Sequence, residues 1–127
     1  MSWTHNPVGW FEIPVTDMDR AQKFYEAVFH IEIQRHEMQG MQMGWFPMIP
    51  DTMGATGTLM LAESYVPSHD GTMVYFTAPN GDIDTTLKSV EEQGGKVMNP
   101  KMSIGEHGFV AHFEDSEGNR IALHSRE

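Results

Sequence analysis

The sequence contains no cysteine among its 127 residues. A disulfide framework, a thiolate zinc site and a cysteine nucleophile are therefore excluded. No run of eighteen apolar residues occurs, and the first ten residues lack a basic stretch followed by an apolar one, so neither a membrane-spanning helix nor a secretory signal is expected. These absences favour a soluble, cytoplasmic protein that does not bind membranes.

Basic residues are also scarce. Eight lysines and arginines face eighteen aspartates and glutamates, which gives a formal net charge of -10. This charge repels phosphate backbones, so nucleic-acid binding is not expected, whereas a cationic partner is compatible with it. The "GGK" at residues 94–96 follows a predicted helix instead of opening one, and therefore lacks the geometry of a phosphate-binding loop. No nucleophile-elbow motif supports a serine hydrolase.

The length of the chain is sufficient for one sizeable hydrophobic core and too small for two independent ones. Residues 1–127 are therefore predicted to form a single domain. Methionine is abundant, with eleven residues, and its flexible thioether suits both irregular cores and adaptable apolar pockets.

The first half of the chain reads as a strand, a helix and three strands. Residues 8–15 alternate between two faces, as a strand requires, and Pro14 places that strand near an edge. Asp17 is positioned to cap a helix over about 17–29, where apolar residues recur at intervals of three and four. Three further strands are predicted near residues 31–37, 42–48 and 56–62.

The second half repeats this order. A strand over residues 72–78 precedes a helix that begins at Asp82 and stops at the glycines of 94–95. A short strand in "GKVMNP" and a C-terminal hairpin follow, and Gly118 in its turn can adopt a positive φ. At a constant offset of 65, "DMD" at residues 17–19 matches "DID" at residues 82–84. The chain therefore reads as a βαβββ unit that occurs twice.

Three segments carry a family resemblance: "FEIPVTDMDRAQKFYEAVF", "GGKVMNP" and "FVAHFEDSEGNRIALHS". They resemble the vicinal oxygen chelate superfamily, which includes glyoxalase I, bleomycin-resistance proteins and extradiol dioxygenases, and in particular its small predicted enzymes related to lactoylglutathione lyase. The resemblance implies an α+β fold of two βαβββ modules, about 6–64 and 70–127. Their curved sheets would form a partly open, barrel-like cup with the helices outside. It also implies a homodimer.

Enzymes of this superfamily commonly hold a divalent metal in the cup with histidine, glutamate or glutamine from four strands. Carried over strand by strand, those positions fall on or near Trp10, Met60, Met73 and Ala122. None is a suitable ligand, so the usual metal centre and any other cofactor are not expected. A divalent metal would require a non-standard site. The candidate ligands for such a site are Glu12, His112 and His124, which are all predicted to face the cup.

Strand parity assigns the lining of the cup. Odd-numbered residues of the first strand, such as Phe11 and Ile13, should face the helices, while the even-numbered Glu12 should face the cup. Glu12 is the best candidate for a catalytic base, with two alternatives: an ion pair with Arg120, or a solvated position. His5, His30, His36 and His69 are expected at the surface. The predicted ligand-binding residues are Trp10, Glu12, Met60, Tyr75, His112, Arg120 and His124.

Two functional hypotheses follow from these residues and from the resemblance. In the first, the protein binds a small molecule in its cup and is a lyase or isomerase without the usual metal, with Glu12 or a histidine as base. In the second, it is a non-catalytic protein of the bleomycin-resistance type that sequesters a cationic ligand. Whether the protein is an enzyme is left open by the sequence. A third hypothesis, an interaction module, predicts a small or collapsed pocket.

Overall fold

A computed structural model describes Thr4 and residues 6–127, so the expectation for His5 lies outside the described residues. The first half of the chain forms the predicted strand, helix and three strands. These elements are β1 (Phe11–Pro14), α1 (Met18–Phe29), β2 (Gln34–Met38), β3 (Met41–Trp45) and β4 (Gly57–Leu61).

The second half forms the same order of elements. They are β5 (Tyr75–Thr77), α2 (Ile83–Glu92), β6 (Lys96–Ser103), β7 (Phe109–Glu114) and β8 (Arg120–Ser125). Strand β6 is longer than the short strand predicted, and it contains Pro100. It tolerates the proline because it lies at a sheet edge and its register with β7 is interrupted on both sides of Asn99.

Both helices begin at the predicted aspartate. The Oδ1 atom of Asp17 accepts a hydrogen bond from the backbone N–H of Arg20, and that of Asp82 accepts one from Thr85, each at 3.1 Å. Each carboxylate satisfies an N–H group that has no partner within its helix. Of the helices in the described part of the chain, none has the length and apolar character that crossing a membrane requires.

The strands form two four-stranded mixed sheets. Sheet A has the order β1-β4-β3-β2 and sheet B the order β5-β8-β7-β6. In each, the first strand of the module pairs in parallel with the last, and the remaining pairs are antiparallel. The two sheets thus repeat one topology without closing into a barrel, which confirms the predicted α+β fold.

One hydrophobic core joins both halves of the chain. This core buries Ile13 of β1, Val15 directly after that strand, and Ile121 and Leu123 of β8, as strand parity predicts. The phenyl rings of Phe11 and Phe76 also meet, with centroids 5.4 Å apart. The opposite faces of the two sheets, called here the open faces, therefore carry the even-numbered residues of β1 and β8.

The turn between β7 and β8 docks on the start of α1. The Glu117 carboxylate accepts hydrogen bonds from the backbone N–H groups of Thr16 and Asp17 at 2.8 and 2.9 Å, and Arg20 Nε donates to it at 2.7 Å. Burial alone would raise the pKa of Glu117, but the hydrogen bonds from Arg20 and from these backbone groups outweigh it and lower the pKa to about 2. This turn therefore fastens the second half of the chain to the first.

Candidate functional site

The open face of sheet B contains a cavity of about 480 Å³, which is large enough for a small organic molecule. Strand alternation brings its walls together, because Val110 of β7 lies opposite His124 of β8, and Tyr75 of β5 opposite Ala122. The residues that line the cavity, called here the sheet B cavity, are Tyr75, Thr77, Met102, Ile104, Val110, His112 and His124.

His112 has both ring nitrogens in hydrogen bonds. The Nδ2 atom of Asn99 donates to Nδ1 at 2.9 Å, so we assign the ring proton to Nε2, which lies 3.3 Å from the Tyr75 hydroxyl. Burial, and secondarily the positive charge of Arg120, lower the pKa of His112. The imidazole is therefore neutral at neutral pH, with a fixed tautomer and orientation.

His124, which also lines the cavity, has one ring nitrogen in a hydrogen bond. Its Nε2 atom donates to the backbone carbonyl of His107 at 2.7 Å, and His107 lies in a short 3-10 turn before β7. In the neutral imidazole this donation leaves Nδ1 unprotonated, and among the described residues Nδ1 has no hydrogen-bond partner. His124 is thus held in place by His107 and, in its neutral form, has a lone pair on Nδ1.

The rim of the sheet B cavity is apolar and exposed. Tyr75, Met102 and Ile104 are 49%, 46% and 43% exposed. Exposed apolar side chains that surround a polar floor are typical of ligand sites rather than of ordinary surface. The arrangement suits a ligand with an apolar body and a group that exchanges hydrogen bonds with His112 or His124.

The ion pair considered between Glu12 and Arg120 is not formed. Glu12 instead accepts a hydrogen bond from the Tyr65 hydroxyl at 2.7 Å, and its side chain is exposed. The reason is topological: Glu12 lies on β1 in sheet A and Arg120 on β8 in sheet B, and these strands do not pair. The solvated alternative for Glu12 is therefore the one that the structure adopts.

The predicted ligand-binding residues divide between the two sheets. Tyr75, His112 and His124 line the sheet B cavity, and Arg120 lies beside it on the same face. Glu12 and Met60 lie on strands of sheet A, and Trp10 directly precedes its strand β1. There the Trp10 indole packs edge-on against Trp45 at 5.0 Å, and Met60 is only 2% exposed.

A second cavity, of about 630 Å³, lies beneath residues 47–56 at the end of α1. Its walls are mostly apolar and include Trp10, and Thr77 lines both cavities. The strand patterns alone do not predict this cavity, because the segment over it has no regular secondary structure. Its other described aromatic walls are Phe11, Phe29, Phe46 and Phe76.

The residues present do not fit the metal centre of the superfamily. The positions that would supply its ligands carry an indole, two thioethers and a methyl group, at Trp10, Met60, Met73 and Ala122. Among the described residues, no three histidine, aspartate or glutamate side chains lie close enough together to hold a metal ion. The alternative set of Glu12, His112 and His124 is thus not brought together within one chain.

The sequence did not predict three residues of this site. Asn99 orients His112, and Met102 and Ile104 form the apolar wall of the cavity. Asn99 lies opposite His112 and Met102 opposite Val110 in the β6–β7 register. The irregular pairing on both sides of Asn99 removes the simple alternation by which these residues could have been placed.

A family model and a curated relative both assign the chain to the same family. The model of the Glyoxalase/Bleomycin resistance protein/Dioxygenase superfamily matches residues 8–123. A "Glyoxylase-like domain-containing protein" of Didymella fabae is 29% identical over 126 residues, which cover 96% of this chain and 95% of that protein.

Two solved structures share the fold. The glyoxylase/bleomycin resistance protein/dioxygenase domain of Frankia sp. EAN1pec superposes with a TM-score of 0.75 at 13% identity, covering 98% of this chain and all of that one. The E144Q mutant of glyoxalase I from Zea mays superposes with a TM-score of 0.68 at 16% identity, covering 93% of this chain. This chain spans only 46% of that enzyme's length, and at these identities the likeness concerns the fold alone.

Proposed function

Since this chain belongs to the Glyoxalase/Bleomycin resistance protein/Dioxygenase superfamily, we propose that it binds a small organic molecule in the sheet B cavity. The observation that supports this proposal is the neutral His112, held by Asn99 and Tyr75 in a cavity whose walls also include the apolar Met102, Ile104 and Val110. A polar group with a fixed tautomer in an apolar cavity provides orientation, while the surrounding apolar area provides affinity.

The ligand class that fits best is uncharged or anionic. The described residues that line the sheet B cavity include no carboxylate, and Arg120 lies beside it. Sequestration of a cationic ligand, which the net charge of -10 suggested, therefore has no support at this site.

NMR on ¹⁵N-labelled protein tests the binding proposal. A set of small aromatic carbonyls, alcohols and carboxylates should shift the amides of Tyr75, Val110 and His112. Shifts confined to residues 47–56 would place the ligand in the other cavity and contradict the proposal.

Two histidine variants test the role of the ring. Replacing His112 by phenylalanine removes its hydrogen bonds and should weaken binding about tenfold, the equivalent of one or two lost hydrogen bonds. The matched control is His36→Phe, because His36 is exposed on β2 of sheet A and packs against Trp45. Equal losses in both variants would count against the proposal.

A second candidate function is proton transfer on the bound molecule, as in a lyase or isomerase. His124 favours it, because this histidine lines the cavity, and a donation from Nε2 to the His107 carbonyl leaves Nδ1 of the neutral ring as the lone pair that a base requires. His124, instead of the sheet A residue Glu12, is then the proposed base. Isomerisation of this kind moves a proton within the substrate and needs no oxidant.

The His124→Gln variant separates this function from binding. The glutamine amide can still donate to the His107 carbonyl but cannot take up a proton. Deuterium incorporation from D₂O into a bound small ketone, followed by NMR, should be lost in this variant while ketone binding persists. Unchanged incorporation would remove His124 as the base.

A further inference from the structure

Arg120 is a partly buried cation without a counter-ion. Its Nε atom is buried and has no hydrogen-bond partner, and among the described residues its guanidinium forms no hydrogen bond or ion pair. A buried charge that is left unpaired costs free energy unless a partner compensates it.

The two carboxylates considered as partners of Arg120, Glu114 and Glu12, contact other side chains. Glu114 lies directly opposite Arg120 in the β7–β8 register, but its Oε2 atom contacts Nε2 of His69 at 2.5 Å. Glu12 accepts its hydrogen bond from Tyr65. Neither acid forms an ion pair with Arg120, so its guanidinium can take a carboxylate from outside the chain.

Arg120 is positioned to reach the sheet B cavity. His112 pairs with Ala122, so Arg120, two residues earlier on β8, is the diagonal neighbour of His112 on the same open face. Diagonal neighbours lie roughly 7–8 Å apart, within reach of a long side chain. The lowering of the His112 pKa by the charge of Arg120 agrees with this proximity.

We propose that the sheet B cavity takes an organic carboxylate, whose apolar body packs on Met102 and Ile104 and whose carboxylate binds the guanidinium of Arg120. This inference rests on the proposed binding function of the same cavity and adds the ligand's charge. Guanidinium and carboxylate match in planar, two-pronged geometry, and the ligand would supply the counter-ion that Arg120 lacks.

The test compares two probes of similar shape, 4-phenylbutyrate and 4-phenyl-1-butanol, by NMR titration of the whole protein. The wild-type protein should bind the carboxylate at least about tenfold more tightly than the alcohol, as a desolvated charge pair predicts. Arg120→Gln should abolish this preference, so that both probes bind with similar affinity. Arg120→Lys should retain part of the preference, which keeps the test valid if the glutamine variant is unstable.

Arg126→Gln is the matched control, because Arg126 is exposed in the C-terminal tail and its replacement should leave the preference intact. A second measurement needs no ligand: the pKa of His112 should rise in Arg120→Gln and stay constant in Arg126→Gln. Equal binding of both probes to the wild-type protein would overturn the anion inference and leave the binding function standing. Binding of neither probe at millimolar concentration would overturn both.

Discussion

Replacing Glu117 by glutamine should destabilise the protein at neutral pH and leave it unaffected in acid. The Glu117 side chain is fully buried and accepts hydrogen bonds from Thr16 N–H, Asp17 N–H and Arg20. Glutamine keeps the size and one acceptor oxygen but removes the charge that these donors stabilise. The β7–β8 turn should therefore hold the start of α1 less firmly.

The pKa of Glu117 sets an upper limit on the loss of unfolding free energy in Glu117→Gln. Its lowering from 4.5 to about 2 corresponds to at most about 3.5 kcal/mol, at about 1.4 kcal/mol per pKa unit. Arg20 is 52% exposed, so solvent screens its share of the interaction. We therefore expect the free energy of unfolding to fall by about 1–2 kcal/mol at pH 7.

Urea unfolding between pH 7 and pH 2 measures the effect. Because the folded-state pKa is depressed, the contribution of the wild-type carboxylate is complete above pH 4.5 and is lost as the pH falls towards 2. The gap between wild type and Glu117→Gln should thus close over this range. Burial raises the pKa of the neighbouring Asp115, which acts in the opposite direction, but Asp115 is present in both proteins and cancels in the comparison.

Asp19→Asn is the matched control. Asp19 also forms an ion pair with an arginine, Arg35, at 2.9 Å, but its side chain is 91% exposed. Its replacement should cost less than about 0.5 kcal/mol. A gap that stays constant with pH for Glu117→Gln, or an equal cost for Asp19→Asn, would refute the reasoning.

Four further measurements test the packing and the electrostatics. Tyr25→Phe removes the hydroxyl that donates to the buried Asp115 carboxylate at 2.6 Å and should cost about 1.5–3 kcal/mol in urea unfolding; a cost below 0.5 would contradict the role of this bond. Thr58→Val should be neutral or stabilising in the same assay, because the Thr58 hydroxyl is buried without a hydrogen-bond partner among the described residues, and a large loss would contradict this. Asp82→Ala should cost about 1 kcal/mol through the lost cap of α2, and Asp82→Asn much less; equal costs would exclude capping as the cause. NMR titration should give His112 a pKa below 6.5, and a higher value would contradict its neutral assignment.

The secondary structure could be predicted from the sequence because it depends on neighbours along the chain. Asp17 and Asp82 cap their own helices, and Gly118 does adopt the positive φ expected of it, 91°. The alternation of Ile13, Val15 and their neighbours identified the core face of β1. Each of these features involves a few adjacent residues, so its signal is contained in a short segment.

The candidate site could be predicted only in part. Parity placed Tyr75, His112 and His124 on the open face, and the structure brings these three to one cavity. It does not bring Glu12 to them, and it gives Glu12 the Tyr65 hydroxyl as its partner. The alternation along a strand defines on which face of the sheet a side chain lies. It does not define which other strands lie next to that strand in the sheet.

The sequence by itself thus determined the two repeated βαβββ units, their caps and the inward and outward faces of their strands. The tertiary structure alone decided which open-face residues share a cavity, that Asn99 orients His112, and that Arg120 has no ion-pair partner among the described residues. The reason is physical: alternation and capping are local, whereas sheet order, the irregular β6–β7 register and the docking of the β7–β8 turn depend on contacts between residues far apart in the chain.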